Sequence, residues 1–252
     1  MKTIKIITLS ILLLAVVKAN SYTDYIAAGD RHYKNLNNFK ALEEYEEAYK
    51  IAPDNYEVLL KLTRTYNDAG EELKELKRRD EAEDYINKAV KFAEIFKSKY
   101  PDSAAVYAYI AFSYGNLAMY VGGKDKIKFA HKIKNNAEKS IKMNPDDYLP
   151  YIILGIYHRE ISDLSWIERA FANTFFGDVP DGSFEESIKM LNTALKLKPN
   201  MIVANYQLAK THRALKNEIK EKELLSQVLK HQVLDFRDKY AKEKAKRRLA
   251  EI

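Results

Sequence analysis

The sequence predicts an all-α solenoid of about five helix pairs, with an inserted helix and a C-terminal capping helix. A pattern of large, small and aromatic residues recurs along the chain at helical spacing, and prolines close its successive copies. The 252 residues include only 8 Gly and 6 Pro, fewer turn residues than a sheet protein of this length would need. An extended array of helices fits both observations.

The first repeat shows the pattern most clearly. Residues 25–32 have the sequence Tyr-x2-Ala-Gly-x2-His, residues 41–48 have Ala-x3-Tyr-x2-Ala, and Pro53 follows. The small residues let two helices approach closely, and the proline ends the second helix because it cannot continue the hydrogen-bond ladder. This arrangement is typical of the tetratricopeptide repeat, so we predict a right-handed tetratricopeptide-repeat solenoid. Asp54 is expected to cap the helix that comes next.

The later copies differ from the first in the spacing of their two halves. In the second copy the second half comes seven residues late, and its closing Pro101 is late by another seven. Seven residues are about two helical turns, so we expect longer helices there rather than a loop. The third copy contains Gly122-Gly123-Lys124, which we interpret as a break between two helices, because a phosphate loop needs G-x4-G-K-[ST] after a strand.

The fourth copy is interrupted by about twenty residues. Apolar residues recur in the interruption at helical spacing, at Leu164, Ile167, Phe171 and Phe175. An exposed stripe of this kind lowers solubility, so we expect the inserted helix to fold into the groove of its own solenoid and narrow it. A position outside the groove is the alternative. We expect Trp166 to add an apolar face and Arg169 to reach a carboxylate or a partner's chain end. Ser183 and Glu186 then predict a capping box, which explains the nearby acidic residues better than a calcium loop does.

These observations divide the chain into a signal peptide, residues 1–19, and one repeat domain, residues 20–252. The predicted repeats lie near residues 22–55, 56–103, 104–147, 148–201 and 202–231, and the capping helix spans residues 232–252. Lys2 and Lys5 precede an apolar run, residues 6–17, and small residues follow at the cleavage position, which is typical of a secretory signal. We therefore predict export to the periplasm or the medium. An uncleaved segment that tethers the protein to a membrane is the alternative.

Charge and composition exclude several classes of function. The formal net charge is +6, and loss of Lys2, Lys5 and Lys18 with the signal leaves 39 basic against 36 acidic groups, or +3. This excess is too small to predict a nucleic-acid partner, or a membrane partner other than through the N-terminal segment. Cysteine is absent, which excludes disulfides, thiolate metal sites and cysteine nucleophiles.

No catalytic motif is present. The sequence contains no nucleophile elbow, HExxH or dinucleotide fingerprint. Three of its five histidines, His32, His158 and His212, occupy the aromatic position of their repeats, so we expect them to be packing residues. We therefore predict a protein that is not an enzyme and that has no cofactor and no metal site.

A binding surface is the more defensible prediction. The first helix of each repeat is expected to line a concave groove, and the positions that face it are Tyr33, Lys34, Arg64, Asn67, Phe112, Asn116, Arg159, Tyr206, Lys210 and Arg213. We predict that this groove binds a protein or peptide partner. Asp30, Asp68 and Glu160 lie among these residues, so ion pairing within the protein is an alternative role for them. A carrier of a small apolar or lipid-like ligand also stays open, because Phe171, Phe175 and Phe176 could wall a pocket.

The chain also resembles a known family. Residues 123–145, and residues 154–170 continued to Pro199, are similar to the tetratricopeptide domain of the regulator of microtubule dynamics family. The most specific part is the insertion from Trp166 to Arg169, followed by Phe175 and Pro180, which generic repeats lack. The resemblance implies microtubule or spindle association, and membrane-contact tethering with lipid binding by one relative. The predicted export signal departs from the family, and an exported protein would not meet cytoplasmic microtubules.

Overall fold

A computed structural model describes residues 21–252. The predicted signal peptide, residues 1–19, lies outside these residues, as does the side chain of Trp166. Residues 21–252 form twelve helices and no strand. The helices are α1 Tyr22–Lys34, α2 Asn38–Ile51, α3 Tyr56–Glu75, α4 Arg79–Lys99, α5 Ala104–Leu117, α6 Gly123–Met143, α7 Leu149–Ser162, α8 Trp166–Phe175, α9 Phe184–Leu197, α10 Ile202–Ala214, α11 Glu218–Lys230 and α12 Phe236–Glu251.

The helices pair as the repeat pattern predicts. The pairs are α1 with α2, α3 with α4, α5 with α6, α7 with α9, and α10 with α11, and each pair packs on the next. Helix α8 interrupts the fourth pair and α12 follows the fifth. Helices α3 and α4 are 20 and 21 residues long, which confirms that the late spacing of the second repeat reflects longer helices. The fold is therefore an all-α tetratricopeptide-repeat solenoid.

Small residues set the distance between the two helices of a pair. Gly155 on α7 faces the fully buried Leu191 on α9, and a Cβ atom at Gly155 would lie 2.5 Å from Leu191 Cγ. The second-half residues of the first four repeats are buried as expected, for example Ala41 and Tyr45. The fifth repeat has Glu221 in the corresponding small-residue position, because its partner is an arginine from α12 rather than an apolar side chain.

Two predicted helix boundaries can be compared with the structure first. Asn55, not Asp54, caps α3, since its side chain accepts from the backbone amides of the next helix. Asp54 instead forms an ion pair with Lys99 at 2.9 Å. Gly122 and Gly123 separate α5 from α6 as expected, with Gly123 at φ 50°.

Only half of the predicted capping box at α9 forms. The Ser183 hydroxyl accepts from the Glu186 amide at 3.3 Å, as expected. The Glu186 carboxylate does not reach back to the cap, because it accepts a hydrogen bond from Lys189 at 3.1 Å instead.

The inserted helix does not fold into the groove, so that expectation is wrong. Helix α8 packs beside α6, and the side chains of Ile167, Phe171 and Phe175 are 61, 54 and 66 % exposed. Arg169 connects the two ends of the insertion. The Arg169 guanidinium donates to the carbonyl oxygens of Ile161 at 2.9 Å and Pro180 at 3.3 Å, so it closes the insertion on itself rather than reaching a carboxylate.

Candidate binding chamber

The C-terminal helix covers the concave groove. The first helices of the five repeats, α1, α3, α5, α7 and α10, line this surface, and α12 packs across it against α10, α11 and α3. Together they surround a cavity of about 830 Å³, which we call the chamber. The C-terminal helix was expected only to cap the array. It also forms one wall of the chamber, and it starts at Phe236 rather than at residue 232.

Ion pairs hold α12 in this position. Arg237 at the start of α12 lies 3.2 Å from the carboxylate of Asp68 on α3, and Lys244 pairs with Glu75 at the end of α3. The side chain of Asp68 is fully buried, so this contact is shielded from solvent. These pairs connect the last helix to the second repeat.

Tyr33 and a second arginine, Arg64, lie beside the pair formed by Asp68 and Arg237. The Tyr33 hydroxyl donates to Asp68 Oδ2 at 2.7 Å, and the Arg64 guanidinium lies 3.9 Å from the centre of the Tyr33 ring. Burial raises the pKa of Asp68, and the charges of Arg237 and Arg64 oppose that shift. Burial also raises the pKa of Tyr33, which therefore stays a hydrogen-bond donor at neutral pH.

Glu71 lies beside this cluster and lacks a close partner. Its Oε2 atom is 3.9 Å from Arg237 and makes no hydrogen bond within residues 21–252. Burial raises the pKa of Glu71 to about 7, while Arg237 opposes the shift and Asp68 adds to it. The chamber therefore has a carboxyl group on its wall that changes charge near neutral pH.

One wall of the chamber is apolar. It is formed by α7 and the residues beside it, and by aromatic side chains from α5, α10 and α12: Leu149, Ile152, Ile153, Ile156, Tyr109, Phe112, Tyr206 and Phe236. Basic side chains lie around this wall, among them Lys74, Lys210 and Lys244. A cavity of this size with an apolar wall and a few charged groups is typical of a ligand site.

The structure brings half of the predicted groove residues to the chamber. Those that line it are Tyr33, Arg64, Phe112, Tyr206 and Lys210. Lys34 is exposed and does not line the chamber, and Arg213 lines a smaller neighbouring pocket.

The other three predicted groove residues are buried between helices. Asn116 donates to the side-chain oxygen of Asn67 at 3.0 Å, and Asn67 donates to Ser113 at 2.8 Å. Arg159 is 3 % exposed and donates to the side-chain oxygen of Gln207 at 2.9 Å and to Glu160 at 2.8 Å. These contacts join α3 to α5 and α7 to α10. Arg159, Asp68 and Glu160 therefore form ion pairs within the protein, which is the alternative to a role in binding a partner.

Several chamber residues were not predicted from the sequence. The isoleucines of α7 lie in a helix that is apolar along most of its length, and the repeat motif already accounts for the residues beside them. No separate feature of the sequence therefore indicated that these isoleucines line a cavity. Phe236 and Arg237 belong to a segment whose charged composition is typical of a polar capping helix. Within residues 21–252 no group of three His, Asp or Glu residues could hold a metal, and no helix in that part of the chain is long and apolar enough to span a membrane.

Comparisons with known proteins agree with this architecture. The sequence pattern of the family described as Regulator of microtubule dynamics protein 1-3 matches residues 25–252. Regulator of microtubule dynamics protein 1 of Bos taurus is 26 % identical over 223 residues, which cover 86 % of this chain and 68 % of that protein. Regulator of microtubule dynamics protein 2 of Bos taurus is 25 % identical over 173 residues, which cover 69 % of this chain but only 41 % of that protein.

A solved structure supports the fold. The crystal structure of a thermophilic TPR protein from Thermus thermophilus superposes with a TM-score of 0.65 and 15 % identity, covering 89 % of this chain and 98 % of that one. This likeness concerns the fold alone. The family match covers nearly all of the described residues, and it includes the inserted helix and the C-terminal helix that closes the chamber. The chain therefore belongs to the Regulator of microtubule dynamics protein 1-3 family.

Proposed function

We propose that this protein is a non-catalytic binding scaffold whose concave chamber holds a short segment of a protein partner. The observation that supports the proposal is the chamber itself, which combines an apolar wall on α7 with basic side chains at its edge. Tetratricopeptide-repeat solenoids are a fold of protein-interaction scaffolds, and their concave side is the usual binding surface.

The position of α12 limits what such a partner can be. The chamber of about 830 Å³ lies between α12 and the first helices, so a partner helix has no room while α12 stays in place. An extended segment of a few residues fits better. Its apolar side chains would contact Ile152, Ile153 and Ile156, and its acidic groups would approach Lys74 and Lys210.

The enclosed apolar wall also supports a second candidate, a carrier of a lipid-like ligand. Four aliphatic residues of α7 and its start lie beside aromatic rings, and lysines stand at the edge. An acyl chain with an anionic group has the same chemistry as the proposed peptide segment. The phenylalanines of the insertion do not wall this pocket, since Phe171 and Phe175 are exposed and do not line it.

A matched pair of tryptophan variants tests the chamber. Ile156→Trp adds bulk inside the chamber, and Ile167→Trp makes the same change on exposed α8. The protein is purified gently from cells of its source organism, and its bound proteins and its native mass are measured. We expect a protein partner that wild type and Ile167→Trp retain and Ile156→Trp loses. A lost mass of lipid size supports the carrier instead, and identical behaviour of both variants contradicts both candidates.

We also propose that residues 1–19 direct export and are removed. The support is the sequence pattern of two lysines, an apolar run and small residues at the cleavage position. The intact mass of the protein from its source organism decides this, with a mature start near Asn20 as the expected result. A cytoplasmic form that retains Met1 would contradict export. It would favour instead the role that the relatives' names state, which microtubule co-sedimentation then tests.

A further inference from the structure

The inserted helix α8 presents an apolar face to solvent. Ile167, Phe171 and Phe175 follow one another at intervals of four residues, and more than half of each side chain is exposed. The rings of Phe171 and Phe175 touch, with centres 4.7 Å apart. The three residues form one stripe about 12 Å long on the helix. A contiguous exposed apolar stripe of this kind is typical of an interaction surface.

The insertion holds this stripe in one orientation. At the start of α8 the Ser165 hydroxyl accepts a hydrogen bond from the Glu168 amide at 3.2 Å, and the Glu168 carboxylate accepts one from the Ser165 amide at 2.8 Å. Beyond its end the Asn173 side-chain oxygen accepts from the amide of Val179 at 2.8 Å, and Val179 is buried. Both ends of the helix are therefore fixed. A face that is already ordered loses less conformational entropy when a partner binds it.

The charges of α8 favour a protein surface over a lipid surface as the partner. A helix that lies on a membrane carries several Lys or Arg side chains on its polar face. The one basic residue of α8, Arg169, donates to the carbonyl oxygens of Ile161 and Pro180 and so is engaged within the insertion. Glu168 adds an exposed carboxylate at the start of the helix. This helix therefore lacks the basic face that an anionic membrane would attract.

The spacing of the stripe makes it complementary to a second copy of itself. Ile167 and Phe175 each lie four residues from Phe171, on opposite sides of it. A contact about a two-fold axis uses the same surface on both copies. When two α8 helices pair antiparallel about such an axis, Phe171 meets Phe171 of the second copy, and Ile167 meets Phe175 of the second copy. No apolar residue of the stripe is then left without a neighbour.

The charges at the two ends of α8 match the same arrangement. Phe176, which follows α8, lies against Gly123 at the start of α6, where a Cβ atom would be 3.0 Å from the Phe176 ring. The exposed Lys124 therefore lies beside the C-terminal end of α8. Antiparallel pairing brings Glu168 of the second copy to this end. A carboxylate and an ammonium group thus approach each other at both ends of the paired helices.

We propose that the exposed face of α8 is the contact surface of a weak, reversible homodimer. At about 150–250 Å² for one large apolar side chain, the three residues expose roughly 350 Å² per copy. Pairing two copies buries roughly 700 Å² of this apolar area, which is the core of an interface in the class of transient complexes, below about 1,200 Å². No residue of α8 lines the chamber, so this contact is independent of the proposed function.

A pair of glutamate variants tests the contact. Phe171→Glu places two carboxylates opposite each other on the two-fold axis, and Ile219→Glu makes the same change of charge at an apolar side chain of α11 that is 85 % exposed. Sedimentation equilibrium measures the dissociation constant of each purified protein. We expect about 10–100 µM for wild type and Ile219→Glu, and a value at least about tenfold weaker for Phe171→Glu. Equal thermal midpoints in dilute solution check that both variants fold.

Introduced thiols test the antiparallel register separately. The chain has no cysteine, so the proteins Ile167→Cys and Phe175→Cys each carry a single thiol. Antiparallel pairing places position 167 opposite position 175 of the second copy, within reach of a disulfide. Under mild oxidation, a mixture of the two proteins should therefore form the mixed disulfide faster than either protein forms a disulfide with itself. This measurement does not depend on the folding of Phe171→Glu.

Four results would overturn the proposal. They are a wild type that stays monomeric at concentrations about tenfold above the expected dissociation constant, equal dimerisation of Phe171→Glu and wild type, mixed disulfides that form no faster than like ones, and a membrane contact in place of self-association. The last is checked by co-sedimentation with vesicles of phosphatidylcholine and phosphatidylglycerol, which Phe171→Glu would then abolish. The Ile156→Trp comparison probes the chamber, which α8 does not line, so the two proposals fail separately.

Discussion

Arg237 at the start of α12 lies 3.2 Å from the fully buried carboxylate of Asp68 on α3, which connects the last helix to the second repeat. Removing the guanidinium would leave the Asp68 charge buried without its main partner. We therefore expect Arg237→Ala to lower the free energy of unfolding by about 3–5 kcal/mol, measured by urea denaturation. Lys239→Ala, on the exposed side of the same helix, is the control and should leave the midpoint unchanged. Equal midpoints for Arg237→Ala and wild type would show that α12 does not rest on this contact.

Glu71 predicts a pH dependence of stability. Burial raises its pKa from 4.5 in the unfolded chain to about 7 in the folded protein, so between these values the folded state holds a proton that the unfolded state has released. Stability should therefore fall as pH rises from 5 to 8, by about 2–3 kcal/mol from this group. Glu71→Gln should remove that fall and be the more stable protein at pH 8.

The difference between Glu71→Gln and wild type isolates this carboxyl. Burial lowers the pKa of His158 and His212, so these two groups reduce stability as pH falls below about 6.5 in both proteins. Glu43→Gln, an exposed substitution on α2, is the control and should follow wild type at every pH. Parallel curves for Glu71→Gln and wild type would contradict the raised pKa.

The exposed stripe of α8 predicts small effects. Phe171 and Phe175 touch each other, with ring centres 4.7 Å apart, but are mostly open to solvent. Each change to Ala should alter the free energy of unfolding by only about 0.5 kcal/mol. Phe236→Ala, at a side chain that is 3 % exposed, should cost about 3–5 kcal/mol and shows what burial of the same residue type contributes. A loss of similar size at Phe171 would mean that α8 packs more deeply than described.

Two glycines predict effects of opposite sign. A Cβ atom at Gly155 would lie 2.5 Å from Leu191 Cγ, so Gly155→Ala should destabilise the protein by about 1–3 kcal/mol. A Cβ atom at Gly115, in helix α5, would have no neighbouring atom within 4 Å. Gly115→Ala should therefore stabilise the protein by up to about 1 kcal/mol, because alanine has the higher helix propensity. Thermal unfolding of both variants checks the pair, and destabilisation by Gly115→Ala would refute the packing account.

The sequence predicted the repeats well because they depend on local spacing. Gly155 and Leu191 occupy fixed positions of the repeat motif, and their contact follows from helix pairing. The insertion is different. A helical stripe such as Phe171 and Phe175 shows that one face is apolar, but the spacing does not say which surface covers it, and here none in the described chain does.

The site was predicted only in part, for two physical reasons. Asn67, Asn116 and Arg159 face the neighbouring first helix, where polar groups satisfy each other, rather than the open groove. The chamber also depends on contacts between residues 169 positions apart, such as Lys244 with Glu75. A periodic sequence pattern does not predict contacts between residues so far apart along the chain. The one indication in the sequence was Glu221, which occupies a small-residue position of the fifth repeat. A carboxylate at that position predicts a cationic partner from outside the repeat, and Arg248 of α12 is that partner.

The most direct test of the account places a photo-crosslinking amino acid in the chamber. Benzoylphenylalanine replaces Tyr206 on the chamber wall or, as the matched control, Tyr56, which does not line the chamber. After irradiation in cells of the source organism, mass spectrometry identifies the adducts. We predict that the protein with the probe at position 206 forms an adduct with one defined partner segment, and that the protein with the probe at position 56 does not. Adducts that are the same at both positions, or none at position 206, would contradict the claim that the concave chamber is the binding site.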